Sequence, residues 1–240
     1  SPLMGMSAQS PSTMVYIGEF VFWPDQAIAA FMGIDPTWAH AVTAHETAHQ
    51  WWGGMVSNVS FDHYWFVESL AELSATFYRE ATKDTTGLKN NIAYWRDRAM
   101  NFDWHKSVLD DVSRGEPGRG DVLLRYTKGP YVLWMLREYF SPEKVLLFLR
   151  NLIRFHSGDL VSTADLQVVA EQTFGQKMDW FFDQYIRDVG IPRVTYHFDS
   201  PRQAEDGKGW IIKLRVVNKP EVNDLMNALD YEKYLEGLEA

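Results

Sequence analysis

The chain carries His45-Glu46-Thr47-Ala48-His49, and Glu68 follows after eighteen intervening residues. On an α-helix, residues four apart lie about 40° apart around the axis, so the two imidazoles leave one face and can reach a single ion. A catalytic zinc usually takes three protein donors and leaves a fourth position to water, so two histidines and one carboxylate make a fitting set, with Glu68 completing it. Such an ion acidifies water and polarises a carbonyl, while a carboxylate outside the coordination sphere removes the proton. That role falls to Glu46. The chain has no cysteine, so the ion must rest on nitrogen and oxygen donors. Ligand type and availability point to one Zn2+. Shuffling this composition would give a His-Glu-x-x-His string in roughly one chain per hundred, and the placed Glu68 makes coincidence rarer still.

Two helices must position these groups. Asp35-Pro36 reads as an N-cap with proline at the first helical position, and Gly53-Gly54 as the stop, which leaves roughly 17 residues between them. A second helical pattern covers residues 62–83, with Trp65, Leu70, Leu73 and Phe77 apolar and Glu68 near its start. Upstream, residues 12–23 are rich in Met, Val, Tyr, Ile and Phe and predict a strand. A further helical pattern runs over 88–103. Residues 113–121 are polar and glycine-rich, which predicts a surface loop, with a place at the border of the cleft as the alternative.

Beyond it, residues 128–140 place Val132, Leu133, Leu136 and Tyr139 at helical spacing, and Ser141-Pro142-Glu143 caps a helix ending near 155. Ser162-Thr163-Ala164-Asp165 signals a cap before a helix over 166–174, with Gly175 as its stop. Another helix is expected over 178–189, and Trp134, Trp180, Phe181 and Phe182 read as core. Residues 193–199 and 210–217 alternate apolar and polar around a turn at 204–209, which predicts two antiparallel strands. The segment 220–240 reads as a weakly amphipathic helix. The fold class is α+β and predominantly helical.

Three strings together carry a family likeness: His45-Glu46-Thr47-Ala48-His49-Gln50-Trp51-Trp52-Gly53, Trp65-Phe66-Val67-Glu68 and Tyr126-Thr127-Lys128-Gly129. Over residues 15–192 the chain resembles the aminopeptidase N-like zinc metallopeptidases of the gluzincin class. The resemblance implies a thermolysin-like catalytic domain over 1–190, with N-terminal β strands in a zinc lobe (about 1–103) and a helical lobe (about 104–190). It makes 191–240 a truncated β segment with a helical tail, and the whole a piece of a longer protein with additional domains. It assigns His45, His49 and Glu68 to the metal and Glu46 to general base. It also gives Tyr126 the hydrogen bond to the tetrahedral oxyanion. The expected activity is an aminopeptidase acting on peptide substrates.

One departure bears on selectivity. The family's upstream Gly-x-Met-Glu-Asn segment carries the glutamate that binds the free α-amino group, whereas this chain has Met4-Gly5-Met6-Ser7-Ala8, and a serine hydroxyl supplies no negative charge. A peptidase without strict amino-terminal selectivity is therefore the alternative, and a degenerate, non-catalytic zinc-binding module is another. Glu72, one turn after Glu68, is a candidate to orient His45 or His49. His40 and His63 lack ligand spacing and read as surface or capping residues. A formal charge of −9 argues against a nucleic-acid partner. No run approaches 18 apolar residues, so no membrane segment is expected within this chain.

Overall fold

The computed structural model describes residues 8–24, 27, 30, 36–101, 107–109 and 124–189, with the strand residues 196–198, 202–203, 210–211 and 214–216. Ser7, Asp35, the side chain of His40, the loop over 113–121 and the tail over 220–240 lie outside them. The chain divides into two compact units, 1–191 and 192–240.

The first unit is built of helices. α1 spans Pro36–Ala48, α2 Trp65–Ala81 and α3 Thr85–Asn101. α4 spans Gly129–Tyr139, α5 Pro142–His156, α6 Thr163–Phe174 and the short α7 Asp179–Phe181. π-helical segments interrupt this pattern at Leu124–Lys128, leading into α4, and at Phe182–Arg187, following α7. α2 is the central element, packed against α1, α3, α4 and the first π segment. Its first two turns, Trp65 through Ala71, are buried on every face. Each large apolar side chain there contributes about 1.5–3 kcal/mol by leaving water. The same burial draws the Glu68 carboxylate into the interior, where it must find polar partners.

α1 ends at Ala48, short of the expected stop at Gly53. The chain tightens first: Gln50 N–H donates to Thr47 O and Trp51 N–H to Ala48 O, each three residues back. Gly53 then takes φ +101°, a left-handed conformation that suits glycine, with the methyl of Val67 directly against it. His49 thus lies one residue past the helix, but its N–H still donates to His45 O, so the one-turn spacing of the two imidazoles survives.

The strand expected over 12–23 does not form. Gln9 and Tyr16 make an isolated antiparallel bridge, and Glu19–Phe22 is a 3-10 turn. The chain reverses at Thr13 (φ 68°), and the Gln50 amide takes up backbone groups that a neighbouring strand would have used. It accepts from Thr13 N–H at 2.7 Å and donates to Pro11 O and Met14 O. A pairing with no sequence signal appears elsewhere: β1 (Ser57–Asn58) lies parallel to β2 (Leu160–Val161). It ties the turn after α1 to the α5–α6 connection.

In the second unit, β3 (Tyr196–Phe198) pairs antiparallel with β6 (Leu214–Val216), and β4 (Arg202–Gln203) with β5 (Trp210–Ile211). The register shifts by one residue between the two ladders.

Candidate metal centre

α1 delivers His45 from its last turn, the tight turn after it delivers His49, and Glu68 enters from the first turn of α2. The sequence-selected trio therefore meets: His45, His49 and Glu68 each present a ligand atom, and all three atoms lie within 4.8 Å of one another. The two Nε2 atoms approach to 3.1 Å, and Glu68 Oε2 is 3.3 Å from each. Oε2 is buried and has no aligned hydrogen bond. Two imidazole nitrogens and a carboxylate oxygen converging on one point, with the oxygen otherwise unsatisfied, is a donor set that suits a cation such as zinc.

The surroundings orient each donor. His49 Nδ1 lies 3.0 Å from Trp52 O, and His45 Nδ1 lies 3.1 Å from Glu72 Oε1. The Trp52 carbonyl favours Nδ1–H on His49 and leaves its Nε2 free to ligate, whereas Glu72 lies beside His45 Nδ1 without an aligned hydrogen bond. Glu72 is thus the residue beside His45. Glu68 Oε1 accepts a hydrogen bond from Tyr64 at 2.5 Å. Tyr64 stands one turn before Glu68, a spacing that sequence reasoning could have used but did not. The Trp52 carbonyl carries no such signal, because its direction depends on the turn.

Electrostatics agree with a site made for positive charge. Burial alone would lower the pKa of His45, yet Glu68 and Glu72 overcome it and raise the imidazole to about 10. Burial pushes Glu68 upward, but the close approach of His45 and His49 and the hydrogen bond from Tyr64 hold it well below the usual carboxylate range.

Glu46 lies in the same cleft, 8 % exposed, and burial lifts its carboxyl above the ordinary value against the pull of both histidines. Tyr126 sits in the π-helical segment with its ring stacked on His45, centroids 5.9 Å apart. Burial and the negative charge of Glu68 push its phenol well up, so it stays a proton-bearing donor. π turns of this kind recur at functional sites. All five sequence-selected residues, His45, Glu46, His49, Glu68 and Tyr126, line one cleft of about 550 Å³. Ala8, Gln9, Ser10 and Pro11 line it as well. His63 lies away from it and caps α6, with Nδ1 3.1 Å from the donating Thr163 N–H and 2.9 Å from Thr163 Oγ1.

Comparison with known proteins places this geometry in context. The peptidase family M1 domain model matches residues 32–185. Aminopeptidase M1-B of Oryza sativa subsp. japonica is 24% identical over 195 residues, covering 71% of this chain and 21% of the relative. Aminopeptidase N of Lactococcus lactis subsp. lactis is 27% identical over 164 residues, covering 64% and 19%. The chain thus spans about a fifth of the length of these curated relatives. Among solved structures, an M1 zinc metallopeptidase from Deinococcus radiodurans superposes with TM-score 0.60 at 18% identity, over 78% of this chain and 38% of that one. Legionella pneumophila aminopeptidase A in complex with aspartic acid gives 0.64 at 17%, over 88% and 23%. These likenesses extend to the fold.

Proposed function

The chain belongs to peptidase family M1, and on that premise we propose that it is the catalytic part of a zinc-dependent aminopeptidase. The observation that carries the reading is the convergence of His45 Nε2, His49 Nε2 and Glu68 Oε2 within hydrogen-bond range of one another, with Oε2 unsatisfied. Those three side chains would hold one Zn2+. When bound, zinc supplies an acidified water and a polarised substrate carbonyl.

The remaining work falls to the protein. Glu46 is buried beside the two histidines, and its raised carboxyl pKa suits a base that takes a proton and later returns it to the leaving amine. Tyr126 keeps its proton and donates a hydrogen bond to the oxygen on which negative charge develops, an interaction typically worth about 3 kcal/mol of barrier. Peptide substrate enters along the cleft that residues 8–11, Ser57 and Asn58 help to line. The division of 1–190 into a thermolysin-like zinc lobe and a helical lobe, and the presence of further domains in the full protein, belong to the same proposal. The relatives' much greater length supports the latter.

A second reading, a peptidase without strict amino-terminal selectivity, is favoured by Ser7 standing where the family has its amine-binding glutamate. One experiment separates the cases. The full-length protein and its Glu46→Gln variant are assayed on a free-amine peptide and its acetylated counterpart, with zinc content measured in parallel. The variant is expected to keep zinc and lose about 10²–10⁴-fold in turnover. An aminopeptidase rejects the acetylated peptide, whereas the second reading has both cleaved alike. Wild-type turnover in Glu46→Gln would remove the assigned base.

A further inference from the structure

We propose that Tyr64 is a positioning residue that makes Glu68 a one-oxygen ligand, an inference that rests on reading His45, His49 and Glu68 as the metal site. The two carboxylate oxygens of Glu68 are treated differently by their surroundings. Oε1 accepts the Tyr64 hydroxyl at 2.5 Å, whereas Oε2 faces the two imidazole Nε2 atoms at 3.3 Å each and has no aligned hydrogen bond of its own. A carboxylate left to itself can give both oxygens to a cation. With Oε1 engaged, only Oε2 is offered, the protein supplies three donor atoms, and a position stays open for solvent.

Tyr64 is itself held. The guanidinium of Arg125 lies over its ring, 5.1 Å from the centroid. A cation there is attracted to the ring face and draws electron density from the phenol, which improves the hydroxyl as a donor. The Arg125 carbonyl in turn accepts from Ser69 Oγ at 2.9 Å, and Ser69 is the residue after Glu68. Tyr64, Arg125 and Ser69 thus close a ring of contacts around the Glu68 backbone and carboxylate. Through Arg125 that ring adjoins Tyr126, so the ligand and the proposed oxyanion donor are set by the same π-helical turn. Partners of this kind typically govern metal affinity by 10–100-fold.

The test is Tyr64→Phe in the full-length protein, which keeps the ring beneath Arg125 and removes only the hydroxyl. Zinc affinity is measured by chelator competition, the visible spectrum is recorded with Co2+ in place of zinc, and the melting temperature of the metal-free protein is compared. Zinc binding weaker by about tenfold or more and a changed Co2+ band pattern are expected, with a lower metal-free melting temperature from the lost hydrogen bond to a buried carboxylate. Wild-type affinity with the wild-type Co2+ spectrum would overturn the proposal. So would a lower melting temperature with an unchanged spectrum, which marks a purely structural tyrosine. A wild-type protein that binds no zinc would overturn the metal-site reading and this inference together.

Discussion

The α5–α6 hairpin and the cleft between α1 and α2 solve opposite problems with the same physics. In the hairpin, polar groups are satisfied by near neighbours. Ser141 caps α5 by accepting from Lys144 N–H, Ser162 and Asp165 form a reciprocal capping box on α6, and Gly175 ends α6 in the left-handed conformation. Its apolar side is filled by Phe140 stacked on Phe174 at 4.0 Å, with Phe148 against Phe174. The cleft buries His45, Glu46 and Glu68 and leaves Glu68 Oε2 unsatisfied. The hairpin pairs its capping groups locally, although Ser141 takes a positive φ of 150° to do so, and the cleft breaks the rule that buried polar atoms are paired, which is where function is expected. Stability and metal binding should therefore separate. Phe148→Ala, at a site 1 % exposed, is expected to cost about 3–5 kcal/mol in denaturant unfolding while leaving zinc affinity at the wild-type value. A parallel loss of zinc affinity would break the comparison.

The seam between α2 and the π segment sharpens it. A Cβ on Gly129 would stand 2.0 Å from Ser69 Oγ and 3.1 Å from Ser69 Cβ, so the close approach of α4 to α2 needs glycine there. To make room, the Ser69 hydroxyl must swing away from the Arg125 carbonyl it now holds, and Arg125 adjoins Tyr126. Gly129→Ala is therefore expected to cost about 1–3 kcal/mol of stability and also to lower turnover. Adding Ser69→Ala, which removes the nearer clashing atom, should recover part of the stability but not the turnover. A Gly129→Ala protein with wild-type stability and turnover would show that the seam yields without consequence.

Legibility in the sequence follows the range of the interactions. The capping box at Ser162 and Asp165 and the cap at Ser141 are settled within four residues, so their residue types announce them, although α6 begins at Thr163 rather than 166. The His45, His49 and Glu68 cluster was legible because helical spacing fixes the first pair and ligand chemistry demands a third donor. Tyr64 was overlooked though it sits one turn before Glu68, since nothing local distinguishes a tyrosine that orients a ligand from one that fills a core. The π segment at Leu124–Lys128 went unforeseen, between a loop read over 113–121 and a helical pattern starting at 128, because a π turn has no local period of its own and this one packs on α2 and α3. The β1–β2 pairing joins residues about a hundred positions apart through two-residue strands, too short to show a period. The strand expected at 12–23 gave way to a turn because Gln50, far along the chain, claims its backbone groups.

The smallest expected effect tests the locally paired side of the comparison on its own terms. Asp165 accepts from the Ser162 side chain and from Ser162 N–H at 2.8 Å, and both bonds hold its carboxyl below the ordinary value. A depressed folded-state pKa contributes stability that is complete above the unfolded value, about 3.9, and is lost as pH falls through the folded value. Asp165→Ala is therefore expected to lower unfolding free energy by about 1 kcal/mol near neutrality, with zinc affinity unchanged. The gap between variant and wild type should stay constant from pH 7 to about 5 and narrow below about 3.9, as the wild-type carboxyl takes up a proton and gives up its bonds. Urea titrations at pH 7, 5 and 3 measure that gap directly. A gap that stays the same at all three values would show that the capping bonds do not depend on the charge of Asp165. The capping box would then stabilise the hairpin through hydrogen bonds that survive protonation, and charge would matter in the cleft but not in the hairpin.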